Sequence, residues 1–133
     1  MKKLAPALLG CTALVALIVP TLAQEPGRAT ASSNCFSIHE FQNWRAPDDR
    51  TLYIRVVGKR YYRLDLGTSC PEIKWPGAHL ITKTRGTESV CSAVDWDLKV
   101  SPGPSGLAQS CIVRTMTPLT SAEIAAIPKA HRP

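Results

Sequence analysis

The sequence lacks the short motifs by which many enzymes and metal-binding proteins are recognised. It contains no G-x-S-x-G nucleophile turn, no H-E-x-x-H zinc site and no glycine-rich phosphate-binding loop. It also has no C-x-x-C pair, and His39, His79 and His131 do not lie at zinc-finger distances from the cysteines. These absences exclude the enzyme classes that such motifs define, and we expect no metal and no cofactor. An active site assembled from residues far apart in the chain stays open.

A long apolar run occurs only at the beginning of the chain. Two lysines precede an uncharged apolar stretch, residues 4–19, and small residues follow at Thr21 and Ala23. This order is typical of a secretory signal peptide, and we expect cleavage before Gln24, which removes residues 1–23. The stretch is shorter than the ~20 residues that span a bilayer. We therefore expect no transmembrane span after cleavage and a periplasmic or secreted location.

A lipoprotein signal is the alternative interpretation of the leader. Leu8-Leu9-Gly10-Cys11 resembles the site at which a cysteine is acylated and becomes the new N-terminus. Only ~7 apolar residues precede Cys11, at the lower limit for such a signal. More apolar sequence follows Cys11, which a lipoprotein does not need, so the cleaved signal peptide is preferred.

Removal of the leader leaves a small and mildly basic chain. Its 110 residues carry fourteen basic side chains against ten acidic ones, a net charge of +4. This length suits one domain with a modest core, and we expect a monomer. The charge favours anionic partners over cationic ones. We expect a flexible tether at 24–34, the domain at 35–128 and a basic tail at 129–133.

Four cysteines remain after the leader, at Cys35, Cys70, Cys91 and Cys111. In an exported chain of this size they predict two disulfides. Three pairings are possible, and the sequence does not choose between them. We prefer the nested pairing, Cys70 with Cys91 and Cys35 with Cys111, because the outer bridge would join the start of the domain to its last strand. Each bridge is expected to stabilise the fold by ~2–4 kcal/mol.

The clearest structural pattern is an alternation of apolar and polar side chains from Thr51 to Leu66. It predicts a β-hairpin with one apolar face. A three-residue loop that places Val56 opposite Tyr62 keeps the apolar residues opposed, whereas a two-residue loop mixes the faces. We therefore expect Gly58 or a neighbour to have a positive φ angle.

The rest of the domain shows shorter patterns of three kinds. Alternation predicts strands at 80–84, 88–100 and 111–116. Two capping boxes, Ser37 to Glu40 and Thr120 to Glu123, predict short helices over 38–43 and from 121 to Pro128. Turn-forming residues predict loops at 68–77 and 101–110.

Two details of these segments concern the core. Within 88–100 the alternation directs Val94, Trp96 and Leu98 inward, and Trp75 is expected to cover the core from its loop. No segment is long enough for a crossover helix. The fold class is therefore all-β, a small antiparallel barrel or sandwich of about five strands with one or two short helices and two disulfides.

Several segments resemble those of a known protein family. They include Trp44 to Tyr53 (WRAPDDRTLY), Tyr61 to Leu66 (YYRLDL), Cys70-Pro71, Val90-Cys91-Ser92, Cys111-Ile112-Val113 and Leu119-Thr120, together with Cys35. The chain resembles a family of short exported proteins of Gram-negative bacteria that is classified only as a domain of unknown function. The resemblance extends over residues 34–126 and includes all four cysteines. It implies a periplasmic or secreted location, and it implies no activity and no site residues.

The outer side of the predicted hairpin is basic and aromatic. We call these residues the hairpin face: Tyr53, Arg55, Lys59, Arg60, Tyr61 and Arg63. In the predicted register Arg55 lies opposite Arg63, which destabilises the sheet unless a negative group lies nearby. Asp65, a partner carboxylate, a phosphate or a sulfated sugar would meet that need. The pattern favours binding of an anionic envelope component or protein, and the alternative is an ordinary solvated sheet surface. An exported chain meets little nucleic acid, so we do not expect nucleic acid as a partner.

Carboxylates provide weaker candidates at Asp48-Asp49 and at Asp95 and Asp97. Such pairs could hold a cation or act as acid and base, although two carboxylates are too few for calcium. A turn explains the first pair and a solvated strand face explains the second. A binding module is therefore the preferred function, and a small envelope enzyme with an unrecognised active site, in which His39 could also take part, is the alternative.

Overall fold

A computed structural model describes residues 34–103 and 106–133. The predicted leader with Cys11, and all of the predicted tether except Asn34, lie outside the described residues. The described part contains nine strands and one α-helix, α1 (Ser121–Ala126). The strands are β1 (Phe36–Ser37), β2 (Phe41–Arg45), β3 (Thr51–Val56), β4 (Arg60–Leu66), β5 (His79–Thr84), β6 (Ser89–Val90), β7 (Trp96–Ser101), β8 (Gln109–Ser110) and β9 (Val113–Pro118). Four 3-10 turns occur at Ile38–Glu40, Pro71–Lys74, Ala93–Asp95 and Lys129–His131.

The strands form three antiparallel sheets. The largest has the order β2-β3-β4-β9, the second β5-β7-β8, and the third pairs β1 with β6. None of the three sheets closes into a barrel within the described part of the chain. The predicted all-β antiparallel class with a short helix and two disulfides is confirmed. There are four strands more than the five expected: β1, β6 and β8 are separate strands of two residues each, and β2 forms in a segment for which a helix was predicted.

The hairpin of β3 and β4 has the predicted faces in a different register. Its loop has three residues, as predicted, but Val56 lies opposite Arg60 rather than opposite Tyr62. The loop residues Gly58 and Lys59 have φ angles of 79° and 58°, which confirms the expected positive φ. The predicted register is therefore wrong by two residues. Because side chains alternate with a period of two, this shift leaves the same residues on the core face.

Among the described residues, one hydrophobic core receives side chains from all three sheets. Its most deeply buried members are Leu52, Ile54, Val56, Leu64, Val90 and Val100. The ring of Phe36 on β1 lies 5.0 Å from that of Tyr62 on β4 and 5.8 Å from that of Trp96 on β7. These aromatic contacts join one strand of each sheet, and the core-facing position predicted for Trp96 is confirmed.

The two capping boxes form, but they have different outcomes. Thr120 and Glu123 open the predicted helix α1, which ends at Ala126, two residues before the predicted end at Pro128. Ser37 and Glu40 close only a 3-10 turn, and the chain enters β2 at Phe41. The helix predicted over 38–43 is therefore wrong beyond residue 40. The aromatic side chains of Phe41 and Trp44 pack against the core when this segment pairs with β3, which overrides the helical signal.

The strand predicted over 88–100 is interrupted by a 3-10 turn after β6. The carboxylate of Asp95 accepts hydrogen bonds from the backbone nitrogens of Cys91 and Ser92 at 2.9 and 2.8 Å. This side chain closes the turn and ends the alternation. Val94 is consequently 74% exposed, and its predicted place in the core is wrong.

Trp75 also lies outside the core. Its side chain is 52% exposed, so the predicted cover over the core is wrong. Within the same loop the chain forms the 3-10 turn Pro71–Lys74, and this turn directs Ile73 inward, where it is 3% exposed. The smaller apolar side chain therefore takes the role that the sequence suggested for Trp75.

The disulfides join the cysteines in an interleaved order. Cys35 is bonded to Cys91 and Cys70 to Cys111, so the preferred nested pairing is wrong. The first bridge follows from the pairing of β1 with β6, which places the residues next to Cys35 and Cys91 opposite one another. Paired cysteines are typical of an oxidising, extracytoplasmic environment. None of the helices in residues 34–103 and 106–133 is long and apolar enough to cross a membrane.

The second disulfide reinforces the contact between β4 and β9. Just beyond these paired strands, the backbone nitrogen of Gly67 donates to the carbonyl of Ile112 at 2.8 Å. Cys70 and Cys111 flank this contact, and both are buried in the core. The bridge therefore holds the end of β4 against the start of β9 from inside the domain.

The segment predicted as a basic tail contacts the end of α1. Residues Lys129–His131 form a 3-10 turn, and an Nη group of Arg132 donates to the carbonyls of Ala125 and Ile127 at 2.9 and 2.8 Å. A cation at the end of a helix satisfies carbonyls that have no partner within it. This contact fixes the segment after α1 in place.

Acid is expected to weaken the fold through three carboxylates that close local turns. Hydrogen bonds, first of all from backbone N–H groups, lower the pKa of Glu40, Asp95 and Glu123. A carboxylate whose pKa is lower in the folded chain stabilises the fold above its unfolded pKa, and this stability is lost as the pH falls through the folded pKa. The free energy of unfolding should therefore change little between about pH 7 and 5 and decrease below about pH 4.5.

Urea unfolding at a series of pH values measures this effect. The variant Asp95→Asn should be less stable than the parent at pH 7 and should lose less stability on acidification, because one of the three carboxylates no longer titrates. A parent protein whose stability is unchanged between pH 7 and pH 3 would contradict the role assigned to these groups.

Candidate functional site

Four residues of the hairpin face lie on the outer side of the four-stranded sheet. Tyr53 lies opposite Arg63, and Arg55 lies opposite Tyr61. The predicted opposition of Arg55 and Arg63 is therefore wrong, as a consequence of the two-residue change in register. Each arginine instead has a tyrosine beside it across the hairpin, and the like-charge pair is avoided.

Arg60 belongs to the other side of the sheet. It lies opposite the buried Val56, and its guanidinium donates to the carboxylate of Glu40 at 3.0 Å and to the carbonyl of Cys35 at 3.1 Å. Arg60 therefore connects the hairpin to the segment around the first disulfide. At the tip of the hairpin, Lys59 remains exposed.

An open cleft of about 520 Å³ lies on the outer side of the sheet, and we call it the outer-face cleft. The sheet contributes Tyr53, Arg63, Asp65 and Thr117 to it. The segment after β9 contributes Leu119, Glu123, Ala126, Ile127 and Pro128. The cleft therefore has a polar side formed by strands and a largely apolar side formed around α1.

The path of the chain after β9 explains the position of the apolar side. The backbone nitrogen of Leu119 donates to the carbonyl of Tyr61 at 2.8 Å, which continues the pairing of β4 with β9. The Thr120 cap then starts α1. After α1, Ile127 is only 5% exposed although it lies outside the main core cluster. Burial of Ile127 therefore holds this segment beside the outer side of the sheet.

Asp65 holds the guanidinium of Arg63 in the cleft. Arg63 Nε donates to Asp65 Oδ1 at 2.7 Å, and Asp65 Oδ2 accepts from Thr115 Oγ1 at 2.8 Å. The hydrogen bond to Asp65 raises the pKa of Arg63 above its usual value, so the guanidinium stays charged. Asp65 was one of several negative groups considered as a neighbour for Arg55, and the structure pairs it with Arg63.

The terminal nitrogens of Arg63 remain available. Neither Nη group has a hydrogen-bond partner among the described residues, and the side chain is 47% exposed. Both oxygens of Asp65 are engaged, so this carboxylate orients the guanidinium without occupying its outer edge. The arrangement presents a fork of N–H donors whose orientation is set before any ligand arrives.

Arg55 follows Tyr53 by two residues on β3, and it lies between Asn43 on β2 and Tyr61 on β4. Its Nε atom is buried and has no hydrogen-bond partner among the described residues. Arg55 is not among the residues that line the outer-face cleft. Of the six residues of the hairpin face, Tyr53 and Arg63 are the ones that reach it.

The carboxylate pair Asp48 and Asp49 stabilises the turn before β3. Asp48 Oδ1 accepts from the backbone nitrogen of Arg50 at 2.8 Å, and Asp49 Oδ2 accepts from the hydroxyl of Ser69. The hydrogen bond from Ser69 lowers the pKa of Asp49. Both side chains thus serve the local structure that the turn sequence predicted.

The remaining polar candidates are also separated. Asp97 on β7 lies 4.0 Å from Lys99, and His39 Nε2 lies 3.3 Å from Glu88 Oε1. Asp95 closes a turn and does not share a strand face with Asp97, contrary to the prediction. No group of three or more metal-binding side chains occurs among the residues that the structure describes.

Comparison with known protein families matches residues 1–133 to the family of unknown function DUF6491. The chain belongs to this family. The resemblance to a domain of unknown function is thereby confirmed, and it extends over the whole chain. Neither the curated proteins nor the solved structures gave a match. Membership of DUF6491 carries no activity.

The half of the cleft that is formed after β9 was not predicted from the sequence. The capping box identified the helix that contains Glu123, but its position beside the sheet depends on tertiary contacts of Leu119 and Ile127. The pairing of Arg63 with Asp65 had a usable signal, since residues two apart on a strand share a face. That signal was outweighed by the predicted register, which placed Asp65 diagonal to Arg55.

Proposed function

We propose that this protein is an exported binding module of the cell envelope, periplasmic or secreted, that binds an anionic ligand in the outer-face cleft. The signal-like residues 1–23 and the two disulfides support export. The observation that carries the binding proposal is the guanidinium of Arg63, which Asp65 orients and whose terminal nitrogens have no partner among the described residues.

The chemistry of the cleft favours a carboxylate. A guanidinium presents two parallel N–H donors, a geometry that matches the two oxygens of a planar carboxylate. Tyr53 lies directly across the hairpin from Arg63 and also lines the cleft, so it adds a hydroxyl and an aromatic ring beside the bound group. The exposed Lys59 at the tip adds long-range attraction for an anion.

A singly charged ligand fits this site better than a doubly charged one. The charged side chains of the cleft are Arg63, Asp65 and Glu123, which together carry one negative charge. A phosphate dianion would meet repulsion from both carboxylates, whereas a monoanion can be held by the directed donors of Arg63. We therefore expect carboxylates to bind in preference to phosphate.

Binding of the apolar monocarboxylate 4-phenylbutyrate tests the proposal. Replacing Arg63 by methionine retains the aliphatic stem and removes the donors, and we expect the affinity to fall about tenfold or more. Lys59→Met removes the same charge at the hairpin tip and should change the affinity less than about twofold. Isothermal titration with the full chain measures both, and circular dichroism checks that each variant is folded.

Two outcomes would overturn the proposed function. The first is equal affinity of the parent and the Arg63→Met variant for 4-phenylbutyrate. The second is the absence of saturable binding of 4-phenylbutyrate to the parent at concentrations up to about 10 mM. A Kd above this value corresponds to very little affinity.

A further inference from the structure

The outer-face cleft contains a second charged group with an unused atom. Glu123 Oε2 accepts hydrogen bonds from the backbone nitrogen and the hydroxyl of Thr120 at 2.8 and 2.7 Å. Glu123 Oε1 has no hydrogen-bond partner in residues 34–103 and 106–133. The bonds from Thr120 lower the pKa of Glu123, so this side chain is ionised at neutral pH and is held in position as part of the helix cap.

The cleft therefore offers one free cationic group and one free anionic group. The third charged side chain, Asp65, has both oxygens engaged by Arg63 and Thr115. A simple anion is attracted by Arg63 and repelled by Glu123, and a simple cation experiences the reverse. A ligand whose two opposite charges match the separation of Arg63 and Glu123 satisfies both groups at once, so the two residues together select against ligands that carry only one charge.

The apolar side of the cleft is formed before a ligand binds. Leu119, Ile127 and Pro128 lie along it. Ile127 is already buried, with only 5% of its surface exposed. The hydrogen bonds from Arg132 to the carbonyls of Ala125 and Ile127 hold this segment in place. Little ordering is then required when a ligand packs an apolar side chain against it.

We propose that the outer-face cleft binds a zwitterion with an apolar side chain, namely an amino acid or a short peptide with free termini. Arg63 binds the carboxylate, Glu123 Oε1 accepts from the ammonium group, and Leu119 and Pro128 contact the apolar side chain. A volume of about 520 Å³ lies within the ~300–1,000 Å³ range typical of small-ligand sites. This inference rests on the proposed function: it keeps the carboxylate bound by Arg63 and adds an ammonium group to the same ligand.

Titration of the full chain with leucyl-leucine and its two blocked forms tests the inference. N-acetyl-leucyl-leucine lacks the ammonium group, and leucyl-leucine amide lacks the carboxylate. We expect each blocked form to bind the parent about tenfold more weakly than leucyl-leucine, because each loses one charge-assisted contact. Free leucine is titrated in parallel: an affinity equal to that of leucyl-leucine assigns the site to amino acids, and a weaker one assigns it to peptides.

Two variants connect these preferences to individual residues. In Glu123→Gln the preference for a free ammonium group should disappear, while the preference for a free carboxylate remains. Glutamine can still accept a hydrogen bond from Thr120, so the helix cap is retained. In Arg63→Met the preference for a free carboxylate should disappear. Glu88→Gln, the same substitution at an exposed site outside the cleft, should leave every affinity unchanged.

The outcomes separate this inference from the proposed function. If leucyl-leucine and its N-acetyl form bind the parent equally, or if Glu123→Gln retains the preference for the free ammonium group, the zwitterion is excluded and the anion site remains. If none of the four probes binds while 4-phenylbutyrate does, the inference also fails and the proposed function stands. If Arg63→Met binds leucyl-leucine as tightly as the parent does, both are overturned.

Discussion

Replacing Cys70 and Cys111 together by alanine is expected to lower the free energy of unfolding by about 3–5 kcal/mol. The bridge closes a sequence separation of 41 residues, for which chain entropy alone gives about 4 kcal/mol. Both sulfur atoms also lie in the core, since Cys70 is 3% and Cys111 is 1% exposed. Their removal therefore leaves unfilled space in addition to a less constrained unfolded chain.

The pair Cys35 and Cys91 provides the matched control. Its separation of 56 residues is longer, but the additional loop entropy amounts to only about 0.3 kcal/mol. Cys35 is half-buried and Cys91 is exposed, so alanine at these positions leaves less unfilled space. Urea unfolding should show a larger loss for the Cys70–Cys111 pair. A larger loss for the Cys35–Cys91 pair would contradict the assigned positions of the two bridges.

Leu98→Ala is expected to lower the free energy of unfolding by about 2–5 kcal/mol, and Val94→Ala by less than about 0.5 kcal/mol. The sequence alternation predicts that both side chains lie in the core. In the structure Leu98 is 3% exposed, whereas Val94 is 74% exposed. Only Leu98 loses packing contacts and leaves a cavity when it is truncated.

Thermal unfolding measures this difference directly. For a domain of about 100 residues, a change of 1 kcal/mol shifts the Tm by about 4–8 °C, so Leu98→Ala should lower the Tm by about 10 °C or more. The Tm of Val94→Ala should lie within a few degrees of the parent. Similar shifts in the two variants would show that the strand continues through Val94 and that Asp95 does not close a turn there.

These elements show which parts of the fold were accessible from the sequence. Alternation identified the two faces of β3 and β4 because that pattern is local and does not depend on register. The register itself depends on the positive φ of Lys59 and on the contacts of Arg60 with Glu40 and Cys35, far away in sequence. A local pattern does not contain such contacts.

The cysteine pairing also depends on contacts between residues that are far apart in the sequence. It depends on which strands become neighbours, and the pairing of β1 with β6 spans more than fifty residues of sequence. With two residues each, β1 and β6 are too short to show an alternation of apolar and polar side chains. The preference for a nested arrangement therefore had no structural constraint behind it.

The candidate site was accessible only in part. Tyr53 and Arg63 could be placed on the outer side of a sheet from their spacing alone. Their counterpart Glu123 was identified as a helix cap, but its position in the cleft follows from how α1 meets the sheet. The buried Cys70–Cys111 bridge also bears on the site, because it supports the pairing of β4 with β9 and these strands carry the polar side of the cleft.

The most direct test of the binding site observes the Arg63 guanidinium during titration. In ¹H–¹⁵N spectra of the full chain, 4-phenylbutyrate should shift the Nε–Hε signal of Arg63 in a saturable manner and leave that of Arg60 unchanged, since Arg60 is engaged by Glu40 on the other side of the sheet. An Arg63 signal that does not move at saturating ligand would contradict the assignment of the outer-face cleft as the binding site.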